Sequence, residues 1–426
     1  MQKELPGIAT NFYVLILVSV VLLFPWSAIS AADFTCSWST AANGDWDAGG
    51  NWSACSGGFP SNGASTFDAT INVASTPYIV TLDTDITIDI LLLDSVDATI
   101  LQTQGTFTAN NGINLDAGEY QLRGGRLLNS VISQNGGTLT FGNSNNNRLD
   151  GVTINGDIVM DITSGDVRLQ NGTSWTGDAR LTTTSTRLIF EQTGTVDNTN
   201  IFLDGASSVL GLAGSNTLTL GPSAVVNLNA SGSSINSDQV LGGDSVVDNQ
   251  GLIVADNSLG GGATRNIQPD TFNNAGTVRA QNGAILTISS INNLSAARLE
   301  VDNGTIVIGT DQLVMPDGSL LQGTGTITSA SIDIAGRLAP GNSAGSLNLD
   351  GDVTLAPTAL FDIEVGGVLA GTEYDELNVT CALVLGGVFS LSLIDGFTPD
   401  SAGIFQIGAA SSISGSFSNI NSGDLL

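Results

Sequence analysis

The chemistry open to this chain is that of carboxylates, arginines, hydroxyls and thiols. Its 426 residues include no histidine, and the single lysine, Lys3, precedes an apolar leader. Mechanisms that need an imidazole base, a lysine Schiff base or a histidine-bound metal are therefore excluded once the leader is removed.

The densest run of carboxylates is a candidate glycosidase site. A glycosidase needs a protonated acid on one side of a groove and a carboxylate on the other. Its members are Asp83, Asp85, Asp89, Asp94 and Asp97. Because side chains alternate between the faces of a strand, this spacing places them on opposite sides of a strand or in turns, where aspartate is common. The Asn-Thr-Asp and Gly-His elements of polygalacturonases are missing from the sequence. We therefore assign no catalytic residue.

Arg123 and Arg126, in the segment YQLRGGRLLN, are the two arginines that lie close together. On one turn they would project near each other and could hold a carboxylate through paired hydrogen bonds, as a uronate lyase requires. The other interpretation is a pair of solvated arginines that offset nearby acids. A carbohydrate-active β-helix enzyme, a glycosidase or lyase using Asp, Glu or Arg, is kept as the alternative function.

The charge balance restricts the partners. Forty acidic residues against 11 basic ones give a formal net charge of −29, which disfavours nucleic acid and anionic lipid surfaces. Oxygen-rich turns at Gly242–Gly251 and Asp302–Gln312 offer ligands of the kind that calcium prefers. They lack the strict nonapeptide spacing of calcium-loaded β-rolls. We assign no metal ligand, and calcium is the one cofactor left open.

The first residues predict export. An apolar run from Tyr13 to Phe24 is followed by small residues at Ala28, Ser30 and Ala31, as in a signal peptide covering residues 1–32. The alternative is an uncleaved membrane anchor. In an oxidising compartment Cys36 and Cys55 are expected to form a disulfide.

Cys381, the remaining cysteine, has apolar, strand-like flanks, and we expect a buried, inert thiol there.

Three tryptophans, Trp38, Trp46 and Trp52, lie between or beside the paired cysteines. One interpretation is an exposed aromatic platform that stacks on sugar rings and makes glycan contacts. The other is a compact, disulfide-closed cap in which the indoles form a small core, because large aromatic side chains are usually packed.

The rest of the chain predicts an all-β fold. Short apolar fragments alternate with period two and end in Gly, Asn or Asp, as in Ile86, Ile88 and Ile90. Their persistence favours a right-handed parallel β-helix over a sandwich, with aliphatic columns inside and asparagine ladders at corners such as TFNNAGTV and INNLSAARLEVDNG.

The predicted organisation has four parts. A signal peptide (1–32) and a Trp-rich cap (33–79) precede a β-helix repeat region (80–345). Residues 346–426 have longer alternating strands and form either a small β domain or the last coils, ending without a strand at Leu426.

Several segments resemble known exported proteins. LAPGNSAGSLNLDGDVTL (338–355), GTEYDELNVT (371–380) and FNNAGTVRAQNGAILTI (272–288) are similar to bacterial autotransporter-type and PEP-CTERM-type repeat proteins. The resemblance implies a β-solenoid that is secreted or displayed at the cell surface. The C-terminal membrane barrel of the first type and the terminal anchor of the second are absent, so we expect a secreted protein or a truncated reading frame.

The sequence therefore predicts a secreted or cell-surface structural or adhesive β-solenoid that acts by multivalent, non-catalytic contacts. Its expected partners are cell-surface or matrix polysaccharide or protein, or other copies of itself. Nucleic acid and membrane insertion of the mature chain are not expected.

Overall fold

The structure is a computed structural model. It describes residues 31–56, 58–238, 242–262, 264–310, 312–400 and 403–421. The predicted signal peptide lies outside these residues except for Ala31 and Ala32. From Ala32 onward the chain forms one compact unit, and its one described helix is a 3-10 turn at Gly49–Asn51.

The described residues form forty-one strands. Those of the N-terminal part are β1 (Phe34–Trp38), β2 (Gly44–Asp45), β3 (Trp52–Ser53), β4 (Phe67–Ile71), β5 (Tyr78–Leu82), β6 (Ile86–Gln102), β7 (Thr106–Leu122), β8 (Arg126–Leu128), β9 (Val131–Gln134), β10 (Thr138–Phe141), β11 (Asn147–Asp150), β12 (Thr153–Asn155) and β13 (Ile158–Met160). Those of the middle part are β14 (Asp166–Gln170), β15 (Ser174–Trp175), β16 (Ala179–Leu181), β17 (Arg187–Phe190), β18 (Gly194–Val196), β19 (Asn200–Leu203), β20 (Val209–Ala213), β21 (Thr217–Leu220), β22 (Val225–Leu228), β23 (Ser234–Asp238), β24 (Val246–Asn249), β25 (Leu252–Asp256), β26 (Thr264–Gln268) and β27 (Thr271–Asn274). Those of the last part are β28 (Thr277–Gln281), β29 (Ile285–Ile288), β30 (Asn292–Asn293), β31 (Arg298–Ile308), β32 (Gln312–Met315), β33 (Leu320–Ile334), β34 (Arg337–Pro340), β35 (Ser346–Leu355), β36 (Leu360–Val365), β37 (Glu376–Val379), β38 (Ala382–Leu385), β39 (Val388–Leu393), β40 (Gly408–Ala409) and β41 (Ser412–Gly415).

These strands wind into a parallel β-solenoid of about 13 turns, which confirms the predicted β-helix. In one typical turn, or coil, β11, β12 and β13 lie parallel on β8, β9 and β10 of the coil before. Each coil thus contributes one strand to each of three ladders. Ladder 1 contains β9, ladder 2 contains β10 and ladder 3 contains β8. The long strands β6 and β7 bend around corners and belong to all three.

The core is a set of stacked apolar columns. In ladder 3, the side chains of Leu127, Leu149, Leu169, Phe190 and Leu212 follow one another in register through five coils, and all are buried. Because alternate side chains of a strand point to the same face, the period-two pattern of the sequence generates these columns directly.

Buried asparagines continue the core of ladder 1 in its later coils. Asn249 donates to Asn274 Oδ1 (2.8 Å), and Asn274 donates to Asn293 Oδ1 (3.1 Å). The predicted corner ladders are therefore present, and this one lies inside the solenoid, since all three side chains are buried. An outer ladder runs beside it, in which Asn273 donates to Asp248 and Asn292 donates to Asn273.

The first and last strands of the described residues join the same solenoid. At the start, β1 pairs antiparallel with β3 and parallel with β4. Strands β4 and β5 already belong to ladders 1 and 2, so the coils begin inside the range 33–79. After residue 346, strands β35 to β41 continue the three ladders as the last coils.

Candidate functional site

The three cap tryptophans form a small core. Trp38, Trp46 and Trp52 are all buried, with edge-to-face ring contacts from Trp52 to both of the others at 5.1 and 4.8 Å. The Trp46 ring also contacts Phe107 of the coils, and its indole N–H donates to Pro60 O (3.1 Å). A sugar platform would need exposed ring faces, so the packed arrangement is the one that the structure contains.

The predicted disulfide is present, but the predicted burial of the third cysteine is wrong. Cys36 and Cys55 form the expected disulfide, with a Cα–Cα distance of 4.9 Å, which ties β1 to the segment after β3. Cys381, for which we predicted a buried thiol, is exposed. It lies in the turn between β37 and β38, so its apolar flanks contribute side chains to the core while its own does not.

The aspartates of the densest acidic run bind backbone and amide groups. Asp85 accepts from Thr106 N (2.7 Å), Asp97 accepts from Ser75 N (3.0 Å), and Asp89 accepts from Asn62 Nδ2 (2.8 Å). Asp94 is exposed and Asp83 half-buried in the turn before β6. Asp85, Asp89 and Asp97 therefore fasten neighbouring segments of the solenoid to one another, and the structure does not gather the five carboxylates around a groove.

Arg123 and Arg126 do not act as a pair. Arg126 forms an ion pair with the buried Asp150 of the next coil, while Arg123 is exposed and its stem packs over Gly142. Arg148 stacks in register between Arg126 and Arg168, and Arg168 is bound by Glu191 and Asp238. Most of the arginine charge on ladder 3 is therefore matched by carboxylates of this chain.

The two turns considered for calcium are described by the structure except for Asp311. Asp248, in the first turn, accepts from Asn273 in the outer asparagine ladder. In the second, Asp302 lies at the end of the part of β31 that pairs with β28. Within the described part of the chain, no group of three or more Cys, Asp or Glu side chains is placed to hold a metal ion.

A cleft on the outer face of ladder 2 gathers several carboxylates. Asp375 is buried and accepts from Gly345 N (3.0 Å) and Glu364 N (2.8 Å). Burial raises its pKa to about 7, against the lowering effect of these two N–H donors. Glu364 lines the cleft with Asp375, and so does Asp362, which pairs with Arg337. The arrangement places a carboxyl group whose pKa is raised to about 7 beside two further carboxyl groups.

A second cleft lies where ladder 1 is interrupted. Strand β15 pairs with β12 below it, but β18 in the next coil starts a separate five-stranded sheet. The cleft between them, about 220 Å³, is lined by Trp175, Phe190, Gln192, Asp197 and several Ser and Thr residues. Trp175 is half-buried, unlike the cap tryptophans.

Sequence reasoning missed both clefts. The signal for the first was the Tyr-Asp pair inside GTEYDELNV, where Tyr374 packs edge-to-face on Phe405 (5.3 Å) and Asp375 faces the cleft. The signal for the second was Trp175, the only tryptophan between the cap and the C-terminus.

Comparison with family models, with curated proteins and with solved structures finds no match. No helix in the described residues is both long and apolar enough to cross a membrane.

Proposed function

We propose that this chain is a secreted or cell-surface β-solenoid protein that acts by multivalent, non-catalytic contacts. The observation that carries the proposal is the regular stack of about 13 coils. With about 4.8 Å between neighbouring strands, it presents outer faces roughly 60 Å long. Weak contacts repeated along such a face add up to strong attachment to a polymer or a cell surface.

The net charge of the chain supports a particular class of partner. With a net charge of −29, the surface favours neutral or cationic partners over anionic ones. Neutral polysaccharide and basic surface proteins meet this condition. A disulfide near the N-terminus suits the oxidising environment outside the cell.

Retention on insoluble polysaccharides tests the proposal. The purified protein is incubated with neutral and acidic polymers, and the same samples are assayed for bound protein and for new reducing or unsaturated ends. We expect retention on a neutral polymer without products, and much weaker competition by short oligosaccharides than by the polymer. Equal competition by both would contradict multivalent attachment.

The second candidate is a glycosidase, and the cleft around Asp375 favours it. A carboxyl group whose pKa is raised to about 7 beside two further carboxyl groups is the arrangement of a general acid and its partner. The test compares the wild type with Asp375→Asn and with the control Asp333→Asn, which lies on ladder 1. If the wild type and the control form products and Asp375→Asn does not, catalysis is established and replaces the first proposal. Asp375→Asn must first be shown to fold by its melting curve.

A further inference from the structure

The interruption of ladder 1 after β15 leaves an open cleft between this strand and β18. Ser174 N donates to Val152 O (2.9 Å) and Thr176 N donates to Ile154 O (3.1 Å), so β15 is fastened to the coil below. No pairing joins β15 to β18 in the described residues. Trp175 stands in register with the buried Ile154, at a position that faces the core, but it is only half-buried and lines the cleft.

The rim of this cleft is held in place by a side chain. Gln192 Oε1 accepts from Gly172 N (2.7 Å) and from Thr173 N (3.0 Å), and its Nε2 donates to Thr173 O (2.8 Å). One amide therefore fixes the turn that precedes β15. The cleft is preformed, which reduces the entropy lost when a ligand binds.

The polar groups in the cleft suit a neutral ligand that carries hydroxyls. The hydroxyls of Ser174 and Thr195 line it and form no hydrogen bond within the described residues, and the Asp197 carboxylate uses only Oδ1, for Asn198 N and Ser223 N. Asp197 is the one charged residue among those that line the cleft, and it repels anions.

The aromatic rings that line the cleft add an apolar surface to it. The Trp175 ring packs beside Phe190, with ring centroids 6.2 Å apart, and its indole N–H has no acceptor among the described residues, so no hydrogen bond fixes the ring. An aromatic face bordered by hydroxyls and a carboxylate matches a sugar, whose C–H face is apolar and whose edge is polar. The volume is smaller than the roughly 300–1,000 Å³ of clefts that hold drug-sized ligands, which limits the occupant to about one ring.

We infer that the cleft between β15 and β18 binds one unit of a neutral polysaccharide, with the sugar ring on Trp175 and its hydroxyls bonded to Ser174, Thr195 and Asp197. This inference rests on the proposed function, since it names one contact of the multivalent surface.

Tryptophan fluorescence tests the site with neutral tetrasaccharides of glucose, mannose and xylose, and with tetragalacturonate as the anionic probe. We expect a saturable change with at least one neutral probe, none with the anionic probe, and loss of the signal in Trp175→Phe. Thr195→Lys fills the cleft mouth without altering the core and should weaken binding by at least about tenfold. Thr219→Lys, at the outward position paired with Thr195 one coil further on, should bind like the wild type.

Three results would overturn the inference: no saturable response to any neutral probe, equal binding by Thr195→Lys and wild type when both melt alike, or preference for tetragalacturonate. Retention of the same variants on insoluble neutral polysaccharide separates this inference from the proposed function. If retention persists while the tetrasaccharides fail, the cleft is rejected and multivalent attachment stands. If the wild type is not retained on any polymer or cell surface, the proposed function is rejected as well.

Discussion

Asp375 shows how burial and hydrogen bonding oppose each other at one carboxyl group. Two backbone N–H groups donate to it, and each favours the ionised form. Only 1% of the residue is exposed, and the loss of solvation outweighs both donors, with nearby Glu364 and Asp362 adding to the effect. The carboxyl group fastens the corner at Gly345 to strand β36, so its protonation state bears on the stability of the last coils.

The pH dependence of stability should carry the signature of Asp375. Its pKa is about 7 when folded and close to 3.8 when unfolded, so between these values the folded state binds more protons. Its contribution is therefore fully present below about pH 4 and is lost as the pH rises through 7, with an upper limit of about 4 kcal/mol. Asp375→Asn removes this titration.

Urea unfolding of the wild type and Asp375→Asn at pH 4.5 and pH 8 measures the effect. The wild type should lose more stability than the variant on going from pH 4.5 to pH 8. Asp333→Asn, on the outer face of ladder 1, serves as the control and should follow the wild type. An identical loss in the wild type and Asp375→Asn would show that the carboxyl group titrates normally.

At the scale of the elements, the buried asparagines of the inner ladder depend on one another for their hydrogen bonds. Each buried amide in Asn249, Asn274 and Asn293 is bonded to the next, and Asn293 ends the row by donating to Val314 O (3.0 Å). Removing one member leaves its neighbours with buried polar groups that water cannot reach.

Asn274→Ala should therefore destabilise the protein by about 1–3 kcal/mol. The triple replacement of Asn249, Asn274 and Asn293 by Leu should be less harmful than the single change, because it leaves no amide of the ladder unpaired. Asn273→Ala, in the outer ladder, is the matched control and should change stability by no more than about 0.5 kcal/mol. Equal losses in Asn273→Ala and Asn274→Ala would contradict the proposed importance of burial.

Features of the fold that depend on a short segment of sequence can be predicted from it, and features that depend on how two coils pair cannot. Alternating apolar residues predict the columns, Asn-Asn pairs predict the ladders, and two neighbouring cysteines predict the disulfide. The cleft at Trp175 depends on one coil failing to pair with the next, which no single segment encodes. The prediction that Cys381 is buried failed for a related reason. Apolar flanking residues indicate a strand nearby, but they do not show which residues lie in the turn.

On the scale of the whole molecule, the excess of negative charge opposes folding, because like charges repel in the compact state. Eleven basic residues cannot balance 40 acidic ones, and those on ladder 3, such as Arg126, Arg168 and Arg187, are already paired with carboxylates. The remaining acidic groups repel one another along the solenoid. Salt shortens the range of that repulsion from about 30 Å at 0.01 M to about 3 Å at 1 M.

The melting temperature should therefore rise with sodium chloride between 0.01 and 0.5 M, because screening relieves repulsion that is stronger in the compact state than in the unfolded chain. Calcium chloride at matched ionic strength separates screening from binding. If the acidic surface acts only through its net charge, the two salts should give similar curves, whereas a specific calcium site would stabilise the folded state further by mass action. A melting temperature that is flat in sodium chloride would mean that the surface carboxylates are already neutralised within the fold. A large additional shift at low calcium concentration would reopen the turns around Gly242–Gly251 and Asp302–Gln312 as cation ligands.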